Sequence, residues 1–178
     1  MKKIKFLNLG KHPITNSFLS EENPRNEFFY NLNLVYHQKT KLISLDNFVS
    51  PKKMFNNKYA HRASASITMR KAYENLAKKI KKKFNPKSIL EIGSNDGVFI
   101  KHFSKIRNVG VEPCKNLANI TSRMKIKTYD KFWTMNLSRK ISNKHGKFDV
   151  IYSANTISHI HNLEETFKAI ENSLTLRG

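Results

Sequence analysis

Apolar residues recur along this chain with two different periods, and the change of period divides it. Over the first 58 or so residues the pattern is short and irregular, with apolar stretches at residues 4–9, 28–34 and 42–45 separated by turn-forming residues, including residues 10–13. Asn31-Leu32-Asn33-Leu34 alternates polar and apolar, as a half-buried strand should. Ser50-Pro51 opens a turn or short helix through Met54-Phe55. From Ser64 or Ser66 the period becomes helical: Met69, Ala72, Tyr73, Leu76, Ile80 and Phe84 form one stripe, and Asn85-Pro86 ends it. The run Lys78 to Lys83 then reads as the wet face and last turn of that helix.

Beyond residue 86 short apolar runs alternate with amphipathic ones. Strands are expected at 88–92, 109–111, 126–129 and 148–152, and helices at 98–103, 117–124, 132–141 and 164–174. The last helix is expected to line one side with Phe167, Ile170 and Leu174. This βαβαβαβ order implies a parallel sheet with right-handed crossovers. The predicted organisation is a β-rich module over residues 1–60 followed by an α/β domain over 61–178.

Composition sharpens the picture. The chain has 178 residues, 39% of them hydrophobic and 12 of them Phe, which is enough apolar surface for a core. No apolar run approaches the roughly 18 residues that span a bilayer, so a soluble, cytoplasmic protein with no membrane partner is expected. The single cysteine, Cys114, excludes an internal disulfide and any multi-cysteine zinc site. Lys and Arg number 33 against 13 Asp and Glu, a net charge of +20. A basic balance of this size is the usual footprint of nucleic-acid binding. The excess is Lys rather than Arg, however, and the accompanying Asn and Ile point to A/T-rich coding, so a solvated Lys-rich surface is the reading adopted and nucleic acid is disfavoured.

The chemistry-bearing motif lies at the end of the first predicted strand of the α/β domain. Glu91-Ile92-Gly93-Ser94-Asn95-Asp96-Gly97 runs directly into a predicted helix, where glycines allow a sharp turn and close approach of a ligand to main-chain N–H groups. The second strand ends in Gly110-Val111-Glu112-Pro113, and 112 − 91 = 21 places an acid where nucleotide-binding βαβ units hold a ribose diol. No Gly-Lys-Ser/Thr follows Gly93, which excludes a Walker A loop, and a Gly-x-Gly-x-x-Gly dinucleotide loop is missing.

The Glu-x-Gly-x-x-x-Gly form resembles motif I of class I S-adenosylmethionine-dependent methyltransferases. Further matches run in order along the chain. Leu9-Gly10 with Pro13 to Leu19, the segment Asp46-Asn47-Phe48-Val49-Ser50-Pro51, Tyr59 to Ser66, the Asn-Asp form of the loop, Gly110 to Pro113, and Asn155-Thr156-Ile157-Ser158-His159-Ile160 are similar to the sugar C-methyltransferase family. The resemblance implies a Rossmann-like class I sheet behind a small zinc-binding-like module. It also implies S-adenosyl-L-methionine as cofactor and a nucleotide-linked keto-deoxysugar as substrate, methylated at carbon 3. Cofactor-binding positions carried over are Glu91, Gly93, Asn95, Asp96, Gly97, Glu112 and Asn155, with His159 as candidate general base. Glu112 would accept hydrogen bonds from both ribose hydroxyls.

Some of these positions have structural alternatives. His159 could be a strand-end hydrogen bonder, and Asn155 could satisfy a turn. Tyr59 and His61 lie in the linker that the resemblance brings to the substrate pocket but are expected to pack on the first helix, Phe132-Trp133 could begin a helix rather than cover adenine, and Cys114 reads as a small, partly buried side chain. His159 and His161 lack a third metal ligand nearby. His37 and Thr40 stand where the family's second zinc-binding Cys pair would be, so zinc is not expected. The resemblance also implies a sheet whose strands five to seven are missing, hence a truncated and possibly inactive enzyme, or one completed by a second chain. Rival readings are a nucleic-acid methyltransferase, although Asn155-Thr156-Ile157-Ser158 lacks the expected Pro and aromatic, and a non-catalytic basic binding or assembly module.

Overall fold

The structure is a computed structural model that describes residues 2–19 and 27–178. It divides into two compact units, Met1–Phe55 and Asn56–Gly178.

The first unit is an antiparallel sheet of three strands, β1 (Lys3–Pro13), β2 (Phe29–His37) and β3 (Ile43–Leu45), in the order β1-β2-β3. Residues 4–13, expected as a strand followed by a turn, form one strand. The register slips between Lys5 and Leu7 and between Asn8 and Lys11. Gly10 sits in the second irregularity at φ +80 and donates its N–H to Asn8 Oδ1 at 2.8 Å, so the backbone bulges and pairing resumes. Val35 is fully buried. A four-residue helix, α1 (Pro51–Met54), follows. The His37–Thr40 segment is the hairpin turn, where Lys41 N–H donates to His37 O at 2.8 Å and His37 Nε2 pairs with Ser44 Oγ at 2.7 Å. No group of three or more His, Cys, Asp or Glu is placed to hold a metal ion among the described residues.

The second unit is an α/β layer structure. Its strands are β4 (Ser88–Ile92), β5 (Arg107–Val111), β6 (Lys127–Tyr129) and β7 (Val150–Ser153), all parallel and ordered β6-β5-β4-β7. Its helices are α2 (Ile67–Phe84), α3 (Lys115–Arg123), α4 (Met135–His145) and α5 (Leu163–Ser173). Side chains alternate across β4. Leu90 and Ile92 join Val109, Val111, Trp133, Leu137, Ile141, Phe148 and Ala169 in one core, while Ile89 joins Ala77, Ile80, Phe99 and Phe103 in the other. None of the described helices is long and apolar enough to cross a membrane.

Helix starts follow local chemistry. Ser66 caps α2 by accepting from Met69 N–H at 3.2 Å, Thr134 caps α4 from Leu137 at 3.2 Å, and Asn162 caps α5 from Glu165 at 3.0 Å. Asn85 ends α2 in the left-handed conformation at φ 41.

Four expectations are corrected. Residues 98–103 do not make an α-helix but a 3-10 turn, Ile100–Phe103, because Val98, Phe99, Ile100 and Phe103 are all buried and leave too little of a polar face. On α2, Ala72 and Phe84 face solvent while Ala77 enters the core. On α5 Ile170 packs against the core and Leu174 is half-buried, as expected, but Phe167 is exposed and the fully buried line is Thr166, Ala169 and Ser173. Hydroxyls suit that face because α4 opposes it with Ser138, whose Oγ donates to Ala169 O at 2.7 Å and meets Ser173 Oγ at 2.8 Å. Trp133 neither begins α4 nor faces a cleft. It is buried, with Nε1 donating to Thr166 O at 3.4 Å.

Candidate functional site

The carboxyl ends of β4, β5 and β7 meet at the loop of residues 93–97. Gly93 (φ +76), Asn95 (φ 49) and Gly97 (φ +80) take left-handed backbone there. The loop is tied down internally. Gly93 and Ser94 N–H both donate to Val111 O, at 2.8 and 3.1 Å, and Gly97 N–H donates to Ser94 O at 2.9 Å. These main-chain donors therefore serve the loop itself, and the α-helix N-terminus expected behind them is the short 3-10 turn.

Three carboxyl groups converge on the loop. Glu112, at the end of β5, accepts from Asn95 N–H through Oε2 at 2.8 Å and from Cys114 N–H through Oε1 at 2.9 Å. It is 5% exposed, and burial pushes its pKa up against the lowering effect of those two bonds. Glu91 lies on the α2 side of β4 because it shares parity with Ile89. Burial lifts its carboxyl well above the ordinary range, an Ile100 N–H bond opposes this, and the charges of Glu112 and Asp96 add to the rise. Asp96 accepts from Ser64 Oγ at 2.5 Å and Ser64 N–H at 3.2 Å, both through Oδ2. Glu91 Oε2, Asp96 Oδ1 and Ser94 Oγ are buried and without a hydrogen-bond partner.

The glycines are needed for close approach. A Cβ on Gly93 would lie 2.1 Å from Thr156 Oγ1, and one on Gly97 would lie 2.8 Å from Thr121 Cγ2. Gly110, paired with Glu91 across the sheet, would place a Cβ 2.8 Å from Ser94 Oγ. Thr156 thus brings the segment after β7 against the loop. Asn155 is exposed at φ 53, and His159 is exposed in the 3-10 turn Ile157–His159, its N–H donating to Thr156 O at 2.9 Å.

The structure therefore gathers Glu91, Gly93, Asn95, Asp96, Gly97 and Glu112 around one loop, with Asn155 and His159 on the neighbouring segment. One feature escaped the sequence reading: Thr156 is the group packed on Gly93. The linker containing Tyr59 and His61, which the resemblance brings toward the substrate pocket, lies along the loop, where Asn95 Oδ1 accepts from Ala63 N–H at 2.9 Å and Asn116 Nδ2 donates to Tyr59 O at 2.9 Å. Which side chains hold it was not legible. Cys114 is completely buried, and burial together with Glu112 pushes its thiol pKa up.

The residues present fit a ligand that is cationic and bears hydroxyls. Buried acceptor oxygens without partners are relieved by a ligand that brings donors and positive charge, and the Glu112 carboxyl group, bonded by the Asn95 and Cys114 N–H groups and the Cys114 thiol, still has acceptor capacity left.

Residues 59–175 match a family model described as "Methyltransferase domain", and residues 1–55 match one described as "Putative zinc binding domain". C-methyltransferase NovU of Streptomyces niveus is 24% identical, over 97% of this chain and 42% of its own length, so the chain spans less than half of that relative. The plantazolicin methyltransferase BpumL, solved with a pentazolic desmethylPZN analog and SAH, has a TM-score of 0.50 at 17% identity, covering 63% of this chain and 45% of its own. A candidate S-adenosyl-L-methionine-dependent methyltransferase of Methanococcus maripaludis gives 0.50 at 17% identity, covering 72% of this chain and 64% of its own. These structural likenesses show the α/β fold. Because the first of the family models spans more than half of the sequence and falls on the strands and loop just described, the chain belongs to the methyltransferase domain family.

Proposed function

We propose that this chain carries the S-adenosyl-L-methionine site of a methyltransferase that methylates carbon 3 of a nucleotide-linked keto-deoxysugar. The observation that carries the reading is the convergence of Glu91, Asp96 and Glu112 on the 93–97 loop, with buried oxygens left unpartnered. Acceptor oxygens left without a donor favour a ligand that brings N–H and O–H groups, as the ammonium and ribose of S-adenosylmethionine do. The description of NovU as a C-methyltransferase supports carbon as the acceptor.

When bound, the cofactor supplies an electrophilic methyl group on sulfur. Glu112 would hold the ribose hydroxyls with the acceptor capacity left to its carboxyl group, while Asp96 Oδ1 and Glu91 Oε2 stand unpartnered beneath the loop. Asn155 borders the methionine end. His159 would take the proton from the carbon beside the ketone, the carbon that would gain the methyl group as the cofactor's methyl–sulfur bond breaks and a neutral thioether leaves. Proton loss and methyl gain balance the charge, so no metal is needed. Residues 1–60 act as a module without zinc, and the edge of β7 not paired with β4 is where a second chain would complete the sheet.

Calorimetry with S-adenosylmethionine tests the cofactor reading. The wild-type chain is expected to bind, and Glu112→Ala to bind at least tenfold more weakly. A folded wild-type chain that binds no S-adenosylmethionine would overturn it. Transfer of labelled methyl to a nucleotide-linked keto-deoxysugar, absent in His159→Ala, tests the remainder.

A further inference from the structure

Residues 59–64 touch both flanks of the proposed donor cleft. On the β4 side, the Asn95 side chain accepts from Ala63 N–H at 2.9 Å and donates to His61 O at 3.3 Å, and Asp96 Oδ2 takes both the hydroxyl and the N–H of Ser64. On the β5 side, Asn116, one residue into α3 and four beyond Glu112, donates to Tyr59 O at 2.9 Å. The segment is thus tied both to the loop after β4 and to the start of α3. The attachments to the loop and to α3 are side chains bonded to main chain and to one serine hydroxyl, and Arg70 of α2 donates to Ser64 O beside them. No described residue of the segment except Ala63 is buried, so little apolar area holds it in place.

The attachments also reach the proposed ligand groups. Asn95 grips the segment with its side chain and Glu112 with its N–H, so one residue serves both. Asp96 offers Oδ2 to Ser64 and keeps Oδ1 unpartnered in the loop.

We propose that Asn95, Asp96 and Asn116 are positioning residues that latch residues 59–64 across the cleft as a strap, and that the strap must release for the cofactor to leave. This rests on the reading of the 93–97 loop as a donor site. The strap slows dissociation and keeps Asn95 aligned for Glu112.

Ser64→Ala is the sharpest test. It removes the hydroxyl bond to Asp96 and leaves Ser66, the cap of α2, in place. Asn116→Ala loosens the other flank. In the ligand-free full chain, amide exchange at Ala63 and Ser64 is expected to quicken about tenfold or more in Ser64→Ala, the factor one charge-assisted hydrogen bond carries, while exchange in the β4 and β5 core stays far slower and the chain remains folded. With S-adenosylhomocysteine as probe, its dissociation rate is expected to rise by a similar factor in both variants. Wild-type binding with unchanged dissociation in the variants overturns the strap alone, as does unchanged amide exchange. A wild-type chain that does not bind the probe at all overturns the donor-site reading and the gating role with it.

Discussion

Glu112 and Asn95 are joined by a 2.8 Å hydrogen bond from the Asn95 N–H to Glu112 Oε2, and this contact ties the end of β5 to the glycine loop after β4. The same carboxylate takes the Cys114 N–H through its other oxygen. An acid expected from its spacing to hold a ligand therefore also holds the loop in shape. Replacement by Gln keeps the size but turns one acceptor into a donor facing an N–H. Glu112→Gln is expected to lower stability by about 1–3 kcal/mol as well as weaken cofactor binding, read by urea denaturation and calorimetry. Weakened binding at unchanged stability would show that the loop does not depend on this carboxylate.

Glu91 makes stability depend on pH. Its folded pKa lies well above the value of 4.5 for an exposed Glu, chiefly through burial, and Glu112 is shifted in the same direction. Between that value and the raised ones the folded chain binds more protons than the unfolded chain. Their contribution is thus complete below 4.5 and is lost as pH rises through the folded values. Glu91→Gln stays neutral at every pH. The stability of this variant relative to wild type is expected to grow as pH rises from 5 to 8, by at most about 1.4 kcal/mol per pH unit. Paired urea melts at several pH values measure it, and a flat difference would mean that Glu91 is not buried as described.

Gly93 is constrained twice, by φ +76 and by Thr156 Oγ1 2.1 Å from where a Cβ would be. Gly93→Ala is expected to cost about 1–3 kcal/mol from backbone strain, with steric displacement of Thr156 added. Adding Thr156→Gly should recover the steric part and leave the strain. Thermal melts of the two variants separate the contributions. Equal melting temperatures would place the whole cost in the backbone.

Phe99 is the hub of the α2-side core. It is fully buried, with ring centroids 4.0 Å from Tyr152, 5.3 Å from Phe103 and 5.9 Å from Tyr73. Phe99→Ala is expected to cost about 3–5 kcal/mol, a large share of a domain's total stability. Chemical denaturation checks this, and a cost under about 1 kcal/mol would be incompatible with that packing.

Cys114 is expected to stay unmodified by thiol reagents in the folded chain, because it is fully buried and its thiol pKa is raised by burial and by Glu112. Reagent added after denaturation should label it at once. Rapid labelling of the native protein would show that the β5 end opens readily.

Much of the second unit was legible in the sequence because the signals are local. Ser66 starts α2 through a bond that spans only three residues, and the apolar run of residues 88–92 marks β4 by itself, whereas the Thr134 and Asn162 caps were not read. The glycine loop and the 21-residue separation of Glu91 from Glu112 were legible for the same reason, since one βαβ unit sets both. Residues 98–103 were misread because four buried residues in six satisfy a helix pattern and a 3-10 turn equally. Phe167 was misplaced because hydrophobicity alone does not reveal that the facing helix presents Ser138.

The sequence by itself thus determined the succession of strands and helices, the loop and the acid opposite it, because each rests on periodicity or turn chemistry within one βαβ unit or less. The tertiary structure alone decided what the loop touches. Asn95 meets Ala63 across 32 positions, and Thr156 fills the space left by Gly93 across 63, pairings that no local pattern encodes. The physical reason is that a glycine or an asparagine advertises conformational freedom or hydrogen-bonding capacity, while the partner that uses it is chosen by how the sheet brings distant segments together.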